Sequence, residues 1–419
     1  MTQTRLETAT GGANKVVAKW PREKLGRVCV IVRGSSPRPK GDARYYGGNV
    51  PRLMVEDCTR DGIYVTPRID FLTDEGAKLS RPMAAGDVVI VVSGNPGLPA
   101  ILAVDCCIHD GFVGLRQLNK DRVSSDYLYH YLSFIKSHTD SQATGAIFRN
   151  LTTDQVANVE ILLPPLAEQR RIAGRLREQL AEVAKARTAV QAQLAAAQAL
   201  AAAFARAVFD SEEARQWDRI PLDEICLGNG QYGTSERSMS EQNGLPVLRM
   251  GNLFDGHVLW DDLKYAELLT AELDKYRLVT GDLIFNRTNS VELVGKSAVF
   301  DGSREAIFAS YLVRFRLRPD RADSHFVCAF INSQFGRAFI DANMTRAIGQ
   351  ANVSASTMKA MPIPLPHITV QRSIAARLAA ELAEVTRLRE SLSGKLETLD
   401  RLPAALLVQA FQGDSSHEG

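Results

Sequence analysis

The chain has 419 residues, 45% hydrophobic and 23% charged, with a formal net charge of +2. That length predicts about two to four compact units. The near-neutral balance excludes a basic tail as a nucleic-acid handle, so any basic surface is local or shared with a partner.

Residues 1–19, "MTQTRLETATGGANKVVAK", lack the apolar core of a signal peptide and predict a flexible arm on a cytoplasmic chain. No apolar run is expected to span a membrane, which takes roughly 18–20 residues. The six cysteines show neither C-x-x-C nor zinc-like spacing, which predicts reduced thiols. Basic residues are mostly Arg, a forked donor suited to phosphate and guanine, though a GC-rich genome gives the same bias.

Residues 20–163 read as a mixed α/β (α+β) domain. "VCVIV" from Val28 and "GDVVIVV" from Gly86 predict strands, and "SSDYLYHYLSFIKS" from Ser124 an amphipathic helix. Pro164 and Pro165 mark a strand-to-helix boundary, and a helix is predicted over 164–212. Within it Ile172, Leu176, Leu180, Val183, Val190, Leu194, Phe204 and Val208 recur at three- and four-residue steps. A second mixed domain is predicted over 213–364, with "SHFVCAFINSQFGRAFI" from Ser324 as helix. A second long helix follows over 365–413, with Ile374, Leu378, Leu382, Val385, Leu388, Leu392, Leu396 and Leu399 as its seam, then a tail, 414–419. About 40 helical residues make a rod of roughly 60 Å. Two such rods can pair antiparallel as a coiled coil, with the domains at opposite ends of a bar about an approximate twofold axis.

The chain repeats itself. Without a gap, "NLTTDQVANVEILLPPLAEQRRIAGRL" from Asn150 lies over "NVSASTMKAMPIPLPHITVQRSIAARL" from Asn352. Ile161, Pro164, Gln169, Arg170, Ile172, Ala173, Arg175 and Leu176 coincide with Ile363, Pro366, Gln371, Arg372, Ile374, Ala375, Arg377 and Leu378. Upstream, Trp20, Leu25 and Cys29 fall on Trp217, Leu222 and Cys226, and "GDVVIVVSGN" falls on "GDLIFNRTNS" from Gly281. Each half is a diverged globular domain followed by a better-preserved helix.

This pattern resembles the specificity subunit of type I restriction–modification systems, over nearly the whole chain. "PLAEQRRIA" at Pro165 is similar to that family's conserved helix entry. "GSSPRPKGDARYYGGNVPRL" from Gly34 resembles the opening of its recognition domains, and "GDLIFNRTNSVELVGKSAVF" its G-D loop. The second copy departs at "HITVQRSIA", where His367 and Thr369 replace the usual Leu and Glu. The resemblance implies a non-catalytic subunit that reads double-stranded DNA at an asymmetric bipartite target. It also implies two methyltransferase subunits along the helices and a restriction/translocase subunit. S-adenosylmethionine, ATP and Mg would then be needed in partner subunits only. A related system lacking the nuclease shares every feature, and a coiled-coil adaptor without DNA is a further alternative.

Base reading needs forked or amide side chains on loops that reach a groove. The candidates are Ser35, Ser36, Arg38, Lys40, Arg44, Tyr45, Tyr46, Ser93 and Asn95 in the first domain. In the second they are Gln231, Tyr232, Thr234, Ser235, Arg237, Asn286, Arg287, Thr288 and Asn289. Gln169, Arg170, Ile172, Leu176, Leu180 and Val183, with Gln371, Arg372, Ile374, Leu378, Leu382 and Val385, are expected to form the joints and the helical scaffold. "SVELVGKS" from Ser290 lacks the first glycine of a P-loop. "CCIH" from Cys106 lacks partner ligands at zinc spacing and reads as buried thiols. No [DN]-P-P-[YF] methyltransferase signature occurs.

Overall fold

The computed structural model describes residues 20–141 and 152–412; the expected arm and tail lie outside the described residues. Contacts divide the chain into two units, 1–189 with 395–419, and 190–394.

The first unit opens with β1 (Arg22–Lys24), β2 (Val30–Arg33), β3 (Tyr46–Leu53), α1 (Val55–Asp61), β4 (Tyr64–Val65), β5 (Asp70–Leu72) and α2 (Asp74–Leu79). It continues with β6 (Arg81–Met83), β7 (Val88–Val91), β8 (Pro99–Leu102), β9 (Cys106–Ile108), β10 (Phe112–Arg116), α3 (Ser125–Ser141), α4 (Thr153–Ala157) and β11 (Glu160–Leu162). One sheet runs β2-β10-β7-β8-β4 and another β5-β3-β9-β6, while β1 pairs with β11. Strand β7 is buried on both faces. Val88 and Ile90 join the core beneath α3, and Val89 and Val91 join a second core with Leu53 and Phe112. A continuous apolar run is what such a strand requires.

Helix α5 (Leu166–Phe209) follows, then α6 (Glu212–Arg215), β12 (Arg219–Pro221), β13 (Gln231–Tyr232), β14 (Leu245–Leu248), β15 (Leu253–Phe254), β16 (His257–Val258), β17 (Lys264–Ala266) and α7 (Thr270–Tyr276). Next come β18 (Leu283–Asn286), β19 (Thr288–Asn289), β20 (Ser297–Val299), β21 (Ile307–Phe308), β22 (Leu312–Phe315), α8 (Ser324–Asn332) and α9 (Gln334–Asn343). The chain closes with β23 (Thr345–Ala347), β24 (Gln350–Asn352), α10 (Ala355–Lys359), β25 (Pro362–Pro364) and α11 (Ile368–Gln412).

The duplication extends to strand order. The order β2-β10-β7-β8 recurs as β13-β22-β18-β20, and β5-β3-β9 as β17-β14-β21. The senses match too: β3 with β9 and β14 with β21 are parallel, and β3 with β5 and β14 with β17 antiparallel. Cys29 and Cys226 each fill the main core of their unit, and burial pushes both thiols up to about 12.

Inside each unit, stretches of α5 and α11 lie antiparallel. In the first, Ile172 and Leu176 share a core with Leu407 and Phe411, and Arg187 Nε donates to Asp400 at 2.7 Å. In the second, Val208 and Phe209 share a core with Ala375 and Leu378. Two sequence expectations need correction. Leu388 is not in the seam but 44% exposed, whereas Val385 and Leu392 are buried. The alanine-rich part of α5 does reach spanning length and apolarity, with mean hydropathy 1.3 and 17% of the stretch buried. Alanine supplies that apolarity, so the same segment also suits close helix packing.

Candidate nucleic-acid interface

Both helix joints use one buried amide. Gln169 is fully buried, donates through Nε2 to Arg122 O at 2.8 Å and Pro164 O at 2.7 Å, and accepts from Ser124 N at 2.9 Å. Gln371 donates to Arg321 O at 3.0 Å and Pro366 O at 2.8 Å, and accepts from Asp323 N at 2.9 Å. Each amide therefore ties the start of a long helix to the loop that opens α3 or α8. The following arginines are exposed; Arg372 donates to Pro319 O at 3.2 Å. Ile172, Leu176, Leu378 and Val385 are buried, and Leu180, Val183, Ile374 and Leu382 half-buried.

Arg170 borders a cavity of about 220 Å³ with Ser124, Asp126, His130 and Arg177. His130 is 2% exposed, and its Nδ1 lacks a partner among the described residues. Burial holds its pKa down at about 4 against an ordinary 6.5, with Arg177 lowering it further and Asp126 opposing. Unfolded, the ring takes a proton near 6.5. This contribution to stability is thus complete above pH 6.5, falls between 6.5 and 4, and levels off below. At pH 5 the loss amounts to about 2 kcal/mol. Replacing His130 with Leu is expected to flatten that stretch of the unfolding-versus-pH curve; an unchanged slope would show that other groups carry it.

In the first domain the loop after β2 is tied to its own frame. Ser35 Oγ donates to Leu79 O at 3.1 Å, so this candidate is turned onto the end of α2. Ser36 donates to Asp110 at 2.6 Å and accepts from Arg52 Nη2 at 3.0 Å. Tyr46 donates to Pro37 O at 2.8 Å and lies beneath the Arg52 guanidinium at 5.3 Å. Arg44 turns back onto Asp42 at 2.7 Å and onto the Tyr45 ring at 5.1 Å, and its guanidinium holds the Asp42 carboxyl down at about 2. Arg38 reaches Asp110 at 3.5 Å with 71% of its side chain exposed, and Lys40 is exposed. Ser93 and Asn95 are exposed in the turn between β7 and β8.

Arg52, His109 and Asp110 were not among the sequence candidates. Arg52 is 6% exposed and ion-paired to Asp70, which makes it the hub of this cluster. A single arginine inside the strand-like "NVPRL" was the available signal.

In the second domain, three expected contacts turn inward. Asn286 is 1% exposed and donates to Met250 O at 3.2 Å, Thr234 is 5% exposed and caps Glu236 N at 3.0 Å, and Thr288 accepts from Asn352 at 3.1 Å. The Thr288 bond joins β19 to β24, and Asn286 and Thr288 turn inward because the apparent loop "NRTNS" is β18 running almost directly into β19. Gln231 Nε2 donates to Tyr232 O at 2.7 Å, and Asn289 Oδ1 accepts from Ser290 N at 2.8 Å.

What remains at the surface is an aromatic and cationic patch. The Arg287 guanidinium lies over the exposed Tyr232 ring at 5.0 Å, and Arg287 N donates to the carbonyl of exposed Tyr311 at 3.0 Å. Ser235 and Arg237 are exposed in the loop that follows β13.

"VGKS" runs into strand β20 rather than a helix, and a Cβ on Gly295 would lie 2.5 Å from Ile340. Burial pushes the Cys106 thiol up to about 12. Among the described residues, no group of three or more His, Cys, Asp or Glu could hold a metal.

Each domain thus presents diverged polar loops on a shared strand frame. The sequence profile of the type I restriction–modification DNA specificity domain matches residues 19–190 and 214–398. The chain belongs to that family. It is 23% identical to the EcoKI specificity subunit of Escherichia coli K12, over 96% of this chain and 90% of the relative. The StySPI specificity subunit of Salmonella potsdam is 22% identical over the same shares. The crystal structure of the HsdS subunit from Thermoanaerobacter tengcongensis shares the fold, with a TM-score of 0.60 and 22% identity over 97% of this chain and all of that one. A chain solved in work on assembly and conformational transition of the type I R-M system gives a TM-score of 0.72 at 20% identity, covering 95% and 98%. In this specificity-domain family, the repeat of strand order marks two recognition domains.

Proposed function

We propose that this chain is the sequence-reading subunit of a type I restriction–modification complex, each domain recognising one half of a bipartite DNA target. The observation that carries this is the contrast between frame and loops. Strand order and the glutamine joint are kept in both units, while the exposed side chains differ: Arg38, Lys40 and Ser93 in one, Tyr232, Ser235 and Arg237 in the other, with Arg287 half-buried beside Tyr232. Equal frames with unequal reading surfaces suit an asymmetric target.

Methyltransferase and restriction/translocase subunits are the proposed partners. They would bind S-adenosylmethionine, ATP and Mg, and recognition would be this chain's part. The mostly uncovered alanine surface of α5 is offered for close helix packing by such a partner. Action would be in the cytoplasm, on chromosomal or invading DNA.

Coexpression with the cognate methyltransferase, followed by genome-wide mapping of methylated adenines, is expected to give one bipartite motif with two unlike halves. A complex that methylates no defined motif would refute the reading. Within that assay, Arg287→Ala removes a forked donor from the second patch. Discrimination in one half-site should then weaken about tenfold, with the other half-site unchanged.

A further inference from the structure

The loops read from the sequence leave out one element of the second domain. Strand β24 lies between β19 and β23: Asn289 faces Ala351, which also faces Arg346. This hairpin is firmly based. Ala351 and Val353 are 1% and 0% exposed in the main core, and the Asn352 amide donates to Thr288 at 3.1 Å. Its far end is the reverse. Thr345, Arg346 and Gln350 are exposed, and Ile348 at the tip is 106% exposed. Gly349, at φ +73°, supplies the left-handed turn that closes it.

A lone apolar side chain on a surface needs no explanation. Its setting does. The hairpin extends the same small sheet as Asn289, and β19 directly follows the Arg287 that lies over Tyr232. No carboxylate occurs between Thr345 and Asn352, and the segment carries one guanidinium and one side-chain amide beside the tip. A two-stranded ribbon fits the major groove, where apolar side chains meet thymine methyl groups and Arg and Gln pair with guanine and adenine. A phosphate-only contact would have no use for isoleucine at the apex.

We propose that the β23–β24 ribbon enters the major groove of the half-site read by the second domain, with Ile348 against base edges and Arg346 and Gln350 beside it. This rests on the DNA-reading function above and names a specificity element within it.

The test uses the complex coexpressed with its methyltransferase, carrying Ile348→Asn or Arg346→Ala. Both side chains are exposed, so assembly and thermal unfolding should match the parent. Methylation mapping is expected to show altered or relaxed bases in one half-site only. Competition between duplexes differing at that base pair should show about a tenfold loss of discrimination. Three results would overturn the proposal: an unchanged motif with unchanged affinity, equal weakening on all duplexes with the motif kept, or loss of assembly, which would place a protein partner on the tip. A parent complex without any bipartite motif would remove the DNA-reading function and this inference together. A parent motif that the variants leave untouched would remove the hairpin alone.

Discussion

Replacing Gln169 with Leu is expected to cost the first unit about 3–5 kcal/mol, lowering its unfolding midpoint by roughly 10 °C or more. The reason is what would be left behind. Leucine fills a similar volume, but Arg122 O, Pro164 O and Ser124 N lose their partners in a site the side chain seals completely. Each orphaned buried group costs about 1–3 kcal/mol, more than the transfer gain of an apolar side chain returns. Gln169→Glu should be worse at neutral pH, because a carboxylate would face two carbonyl oxygens. Gln371→Leu should damage the second unit similarly, through Arg321 O, Pro366 O and Asp323 N. Thermal unfolding of the three variants decides the matter. A Gln169→Leu protein that unfolds within 1 kcal/mol of the parent would mean that water replaces the amide.

Those joints were legible because they are written as letters. The repeated Gln-Arg after a proline survives in both copies, and a helix entry is local enough to be carried by sequence alone. Strand pairing is not. Strand β2 pairs with β10 across the whole first domain, Arg33 against Val113, and nothing local specifies that partner. The same limit explains the misread site residues. "NRTNS" has turn-like composition, yet Asn286 and Thr288 are consumed by the strand frame, and Arg287 and Asn289 are half-buried. Arg52 was hidden for the opposite reason, as one charge inside an apolar run. Its role as hub depends on Asp70, Ser36 and Tyr46 arriving from three other places. The hairpin that presents Ile348 has no local signature, because an apolar residue beside glycine resembles any turn.

The helical seam was legible in period but not in phase, and that difference sets the second large expected effect. Val385 is 5% exposed and Leu382 lines a cavity of about 320 Å³ in the second unit, whereas Leu388, on the same heptad-like list, is 44% exposed. A carboxylate at Val385 would be removed from water, and the nearby Arg389, one helical turn on, already faces Asp255 at 3.8 Å; an unpaired buried charge costs several kcal/mol. Val385→Asp is therefore expected to unfold the second unit or raise the aspartate's pKa far enough to keep it neutral. The second outcome gives stability that falls as pH rises from about 4, where the unfolded aspartate ionises, up to the raised folded value. Leu382→Asp should be milder, since its cavity can admit water. Leu388→Asp should shift stability by less than about 1 kcal/mol and act as the matched control, with equal chemistry three residues further on. Urea unfolding at pH 5 and pH 8 separates these cases. Should Val385→Asp and Leu388→Asp behave alike, the face of α11 assigned to the interior would be wrong, and with it the core that Leu378 shares with Val208.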